Sequence, residues 1–129
     1  MPGEAILIVD DNPQNLKLAR LLLKGEGYDA RTAPDAEHAM LLLEEFSPRL
    51  ILMDIQLPGM DGLELTRRLK ASEATRRIVI VALTAYAMRG DEERARAAGC
   101  DGYIAKPIDV HTLPHAVAGY LRSAGGSDA

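Results

Sequence analysis

Five short runs, Ala5 to Val9, Tyr28 to Ala33, Leu50 to Met53, Ile78 to Leu83 and Gly102 to Ala105, each precede a longer stretch with the periodicity of an amphipathic helix. This alternation constrains the chain more than any other feature. Runs of that length are strands, and strands separated by helices do not pair as tight hairpins; right-handed crossovers lay them parallel in one sheet with helices on both faces. AILIV, LILM and IVIVAL are apolar at every position, as strands covered on both faces must be. The second run, with Tyr28, Ala30 and Thr32 on one side, alternates as a strand nearer an edge does. The predicted fold is α/β: a three-layer, doubly wound, five-stranded parallel sheet.

Helix signals punctuate the same scheme. Asn12-Pro13 opens the first helix, whose Leu16, Ala19, Leu22 and Leu23 form one stripe, and Gly25 and Gly27 end it. Asp35 caps a second helix that is read as far as Phe46, with Ala36, Ala39, Met40 and Leu43 facing inward. A Pro58-Gly59 turn precedes a third helix from Leu63 to Ala71, and Gly99 stops a fourth from Met88 to Ala98. The last helix is read from about Val110 to Arg122, and because Pro114 is tolerable only in a first turn its start is expected nearer Thr112. Residues 1–123 are read as one domain and residues 124–129 as a flexible tail.

At 129 residues the chain has the length of one ordinary domain and can bury a core without a disulfide or a structural metal. Cys100 is the sole cysteine, which excludes an internal disulfide and suits a reducing compartment. A net charge of −4 does not suit the clustered basic face that nucleic acid requires, so the expected partners are proteins. Met1-Pro2-Gly3-Glu4 has neither the basic nor the apolar region of a secretory signal. No apolar run approaches the roughly 20 residues of a membrane helix. The expected location is the cytoplasm.

Parallel strands point their carboxyl ends to one edge of the sheet, where ligands of open α/β sheets bind. Four strands deliver polar residues to that edge: Asp10 and Asp11 after the first, Asp54 after the third, Thr84 after the fourth and Lys106 after the fifth. Carboxylates gathered in one pocket repel each other unless a cation compensates. Mg²⁺, which takes hard oxygen ligands and commonly a phosphate oxygen, suits that set. Lys106 supplies an ammonium able to pair first with a carboxylate and then with a phosphoryl oxygen, and the Thr84 hydroxyl supplies a donor. Nucleophilic carboxylate, metal, cation and hydroxyl are the groups that phosphoryl transfer onto an aspartate requires.

The segments VDDN (Val9 to Asn12), MDIQLPGMDG (Met53 to Gly62), ALTA (Ala82 to Ala85) and GYIAKPI (Gly102 to Ile108) stand in this order at βα spacing. In these the chain resembles the receiver domains of bacterial two-component response regulators, the CheY-like family, from about Glu4 to Leu121; within it, the wording is most similar to single-domain cell-division regulators and hybrid-kinase receivers. The resemblance implies a flavodoxin/CheY-like sheet of order 2-1-3-4-5. It implies Asp54 as the phosphoacceptor, Asp11 and Asp54 as direct Mg²⁺ ligands, Asp10 assisting through water, and the Gln56 carbonyl as a further ligand. Thr84 and Lys106 would contact the phosphoryl group, Tyr103 would be the aromatic that turns inward when Thr84 moves, and Lys106-Pro107 would be a cis peptide. Gln56 and Tyr86 occupy variable positions flanking the route of the hydrolytic water, which bears on how long the phosphoryl group persists.

Singly, Asp10-Asp11 is a solvated strand end, Thr84 a capping hydroxyl, Lys106 a surface lysine and Tyr103 a packing residue; their convergence at one edge is what argues otherwise. The run Asp91-Glu92-Glu93-Arg94 with Arg96 is read as a solvated helix face. The expectation is a Mg²⁺-dependent switch without an output domain, weakly catalytic toward its own phosphoryl group rather than an enzyme. A histidine kinase or phosphotransfer protein would load it, a downstream protein would read it, and it would be a monomer or weak dimer. The rival is a Mg²⁺-dependent phosphohydrolase with an aspartyl-phosphate intermediate, which needs a second carboxylate just beyond the nucleophile where this chain has Ile55-Gln56. A receiver excised from a longer hybrid protein is a further alternative.

Overall fold

A computed structural model describes residues 3–84, 89–106 and 108–127. The elements are β1 (Ala5–Val9), α1 (Pro13–Gly25), β2 (Asp29–Ala33), α2 (Ala36–Leu43), β3 (Leu50–Asp54), α3 (Gly62–Ala71), β4 (Val79–Thr84), α4 (Arg89–Ala98), β5 (Gly102–Ala105) and α5 (Thr112–Ser127). The strands form one parallel sheet, as the βα alternation predicts, in the order β2-β1-β3-β4-β5 that the family resemblance implies.

Strand periodicity divides the core into two layers. Ile6, Ile8, Leu50, Leu52, Val81 and Leu83 face Ala19 and Leu23 of α1 and Leu113 and Val117 of α5. Their neighbours Leu7, Val9, Ile51, Met53 and Ile80 face Ala36 and Ala39 of α2 and Leu65 and Leu69 of α3. The α4 side is closed by Ala95 and Ala98 against Ala82, Ile55 and Leu63. Each fully buried Leu or Ile contributes roughly 1.5–3 kcal/mol, which is why apolar runs without alternation are retained in the central strands.

Two helix ends differ from the sequence reading. α2 stops at Leu43, because the N–H groups of Glu44 and Glu45 bond three residues back to Leu41 and Leu42 and the chain then leaves the helix. Phe46 thereby enters the α2/α3 core instead of extending a helical stripe, with the Arg31 guanidinium 4.2 Å from its ring centroid. α5 continues to Ser127, past Arg122. Its start agrees with the sequence reading: the Asp109 carboxylate accepts the N–H groups of His111 and Thr112, leaving Pro114 in the first turn. Among the described residues no helix is long and apolar enough to cross a membrane.

Candidate functional site

β1 and β3 are neighbours, with Val9 opposite Met53, so Asp10 and Asp54 leave adjacent strands side by side. Asp10, Asp11 and Asp54 each offer a carboxylate oxygen within 4.8 Å of the others. Asp10 is fully buried and Asp54 nearly so, at 3% exposure, while Asp11 is exposed. The sequence-predicted carboxylates therefore share one pocket, open to solvent on the Asp11 side.

Lys106 reaches this pocket from the far side of β4. Its backbone N–H bonds the Thr84 carbonyl, continuing the β4–β5 ladder by one residue. Its Nζ donates to Asp54 Oδ2 at 3.0 Å and lies 3.1 Å from Asp10 Oδ2. The second oxygen of Asp54 accepts the Gln56 N–H at 3.0 Å. Asp10 accepts the Asn12 N–H at 2.9 Å and the Asn15 side-chain amide at 3.3 Å.

Burial raises the Asp54 pKa above the ordinary carboxylate value, and the hydrogen bonds from Gln56 and Lys106 only partly offset it. Burial acts on Lys106 in the opposite sense, but its hydrogen bonds to Asp54 and Asp10 prevail and hold the ammonium above its usual range. Three carboxylates set against one ammonium leave negative charge in excess. A donor set made of hard carboxylate oxygens, with one member facing water, fits a small divalent cation that retains waters of its own.

The remaining predicted residues lie beside this cluster. The Thr84 hydroxyl, 1% exposed at the end of β4, donates to Asp91 Oδ2 of α4 at 2.9 Å. Tyr103 on β5 is half-buried against the group formed by Ile55, Leu63, Ala82, Ala95 and Ala98. The Gln56 side chain is exposed, and its N–H is the part that touches Asp54. The Lys106-Pro107 peptide, Ala85, Tyr86 and Met88 fall outside the described residues.

The structure corrects one reading and adds three residues. Asp91 is not part of a solvated face: its side chain is 16% exposed and turned toward β4, whereas Glu92 pairs outward with Arg96 as expected. The signal was present, since Asp91, Ala95 and Ala98 lie on one helical stripe and both alanines are buried. Asn15, one turn into α1, reaches back to Asp10, and only tertiary placement reveals this. Gly62 opens α3 against the end of β3, where a Cβ would overlap the Asp54 carbonyl. Its hydrogen atom lets the helix seat directly behind the carboxylate cluster.

Comparison with known proteins agrees with this geometry. Residues 6–118 match the response regulator receiver domain. The polar-differentiation response regulator DivK of Brucella ovis is 46% identical over 121 residues, covering 94% of this chain and 98% of that protein. The receiver domain of the sensor histidine kinase PA1611 from Pseudomonas aeruginosa PAO1, solved with a magnesium ion coordinated in its active site cleft, is similar with a TM-score of 0.83. It shares 37% identity over 92% of this chain and 98% of that one. A response regulator structure from Chloroflexus aurantiacus is similar with a TM-score of 0.87 and 31% identity, over 92% and 98% of the two chains.

Proposed function

Since the chain belongs to the response regulator receiver domain family, we propose that it is a phosphorylation switch in which Asp54 accepts a phosphoryl group from a histidine kinase or phosphotransfer protein. The observation that carries this reading is Lys106 bridging Asp54 and Asp10 inside a cluster of three carboxylates. Asp54 Oδ2 is the oxygen that Lys106 contacts, while Oδ1 is occupied by the Gln56 N–H, so the two oxygens are already differentiated. Attack of an Asp54 oxygen on phosphorus forms an acyl phosphate, and the donor nitrogen departs with its electron pair.

Asp11 and Asp54 would ligate Mg²⁺ directly, with Asp10 acting through water and the Gln56 carbonyl as a further ligand. When bound, the ion supplies positive charge at the phosphoryl oxygens as negative charge develops on them. Lys106 then exchanges a carboxylate partner for a phosphoryl oxygen, and Thr84 donates its hydroxyl to another. Tyr103, on β5 beside α4, follows Thr84 inward. The phosphorylated face is read by a downstream protein, and the protein works in the cytoplasm as a monomer or weak dimer. Gln56, two residues beyond Asp54, cannot serve as an acid or base, which argues against a turnover phosphohydrolase.

The test is incubation with acetyl phosphate and Mg²⁺ followed by intact mass. The expected result is one phosphate adduct that is absent in Asp54→Asn and in the presence of a chelator. An equal adduct in Asp54→Asn would reject the assignment.

A further inference from the structure

The Thr84 hydroxyl has one proton to give, and here it is directed at Asp91. The same proton is the one a phosphoryl oxygen on Asp54 would require. We propose that Asp91 is a positioning residue for the phosphorylation reaction: by accepting the Thr84 hydroxyl it holds the unphosphorylated arrangement and ties α4 to the end of β4. This rests on the reading of Asp54 as phosphoacceptor.

Three observations support it. The acceptor is a carboxylate at 2.9 Å from a donor that is 1% exposed, and a charge-assisted hydrogen bond in such a setting is among the stronger kind. Asp91 sits in the first turn of α4, where the helix amides favour negative charge, and its other oxygen lies 3.3 Å from Arg94. When Thr84 turns away, Asp91 thus keeps compensation from its own helix and partial access to water, so release is inexpensive. The helix that Asp91 belongs to also carries Ala95 and Ala98, which pack with Tyr103. Breaking one hydrogen bond therefore frees the element against which the proposed switch aromatic rests. The device is a competition for one proton between two acceptors, a carboxylate on α4 and a phosphoryl oxygen on β3.

Binding of beryllium trifluoride, a phosphoryl mimic, at fixed Mg²⁺ measures this competition by calorimetry. Asp91→Ala is expected to lower Kd roughly fivefold, the equivalent of about one hydrogen bond. In a Thr84→Ala background the same change should leave Kd unaltered, because no hydroxyl remains to be released. Asp91→Asn, which removes the charge and keeps a carbonyl acceptor, should fall between wild type and Asp91→Ala. A general electrostatic effect of Asp91 would instead make Asn and Ala equal and persist without Thr84, and that pattern overturns the proposal, as does an unchanged or raised Kd in Asp91→Ala. Binding by the wild type together with the acetyl phosphate adduct on Asp54 establishes the underlying reading separately; absence of both would remove the two together.

Discussion

Lys106 and Asp54 are separated by 52 residues of sequence and meet at 3.0 Å across the end of β4. The lysine directly follows the outermost strand of one side and the aspartate ends the central strand, so the contact exists only when β3, β4 and β5 are in register. It joins the charge balance of the site to the assembly of the sheet.

Removal of the ammonium strands buried carboxylates. Lys106→Met in the presence of a chelator is expected to lose about 3 kcal/mol of stability by urea unfolding, because Asp10 is fully buried and Asp54 nearly so. Excess Mg²⁺ should recover part of that loss. A destabilisation below about 0.5 kcal/mol would mean that the carboxylates are compensated in another way.

Gly62 has no room for a side chain. Gly62→Ala places a methyl group on the Asp54 carbonyl, and either α3 or the end of β3 must shift. The expected cost is about 2 kcal/mol, accompanied by a reduced rate of adduct formation from acetyl phosphate. Full stability with full reactivity would show that the helix start can move without disturbing Asp54.

Asp11 separates metal binding from folding. It is exposed, so Asp11→Ala should leave metal-free stability within about 0.5 kcal/mol of wild type. The wild type should gain about 2.7 kcal/mol when Mg²⁺ is raised to about 100 times its Kd, and the variant should not. Thermal unfolding with and without Mg²⁺ reads both quantities.

The cap of α5 carries a pH dependence of defined sign. Hydrogen bonds from the Thr112 and His111 N–H groups hold Asp109 below the ordinary carboxylate value of 3.8. Its folded pKa is thus depressed, so its contribution is complete above 3.8 and disappears as pH falls through the lower folded value. Asp109→Ala should consequently be less stable than wild type at pH 6, and the difference should shrink toward pH 2. A difference independent of pH would show that the charged form of the cap contributes nothing.

What is legible in the sequence depends on the range of the forces involved. The strands were legible because Ile51 and Leu52, adjacent in sequence, are both buried on opposite faces of the sheet, and only a central strand of a covered sheet buries both. The Asn12 and Asp35 side chains cap α1 and α2 through bonds to amides two or three residues on, a local event that residue type announces. Phe46 was misplaced because a helical stripe and a buried aromatic just past a helix look alike until the path of the chain is known. Asp91 was misplaced because charged runs on helices usually face water, and the buried hydroxyl that turns it inward lies on another element.

Alternating apolar runs and their terminal polar residues were sufficient to specify strands, crossovers and the edge at which Asp10, Asp11, Asp54, Thr84 and Lys106 collect, because periodicity and chirality act over a few residues and leave few topologies, among which the family resemblance implied the order 2-1-3-4-5. Which atom meets which was settled by packing alone. The Lys106 bridge joins elements far apart in the chain, and the Asn15 contact to Asp10 and the Thr84–Asp91 hydrogen bond, though short in sequence, depend on the distance between a strand and the helix that follows it. Those distances follow from how side-chain volumes fill the space between helix and sheet, a property of the assembled core that no segment holds alone.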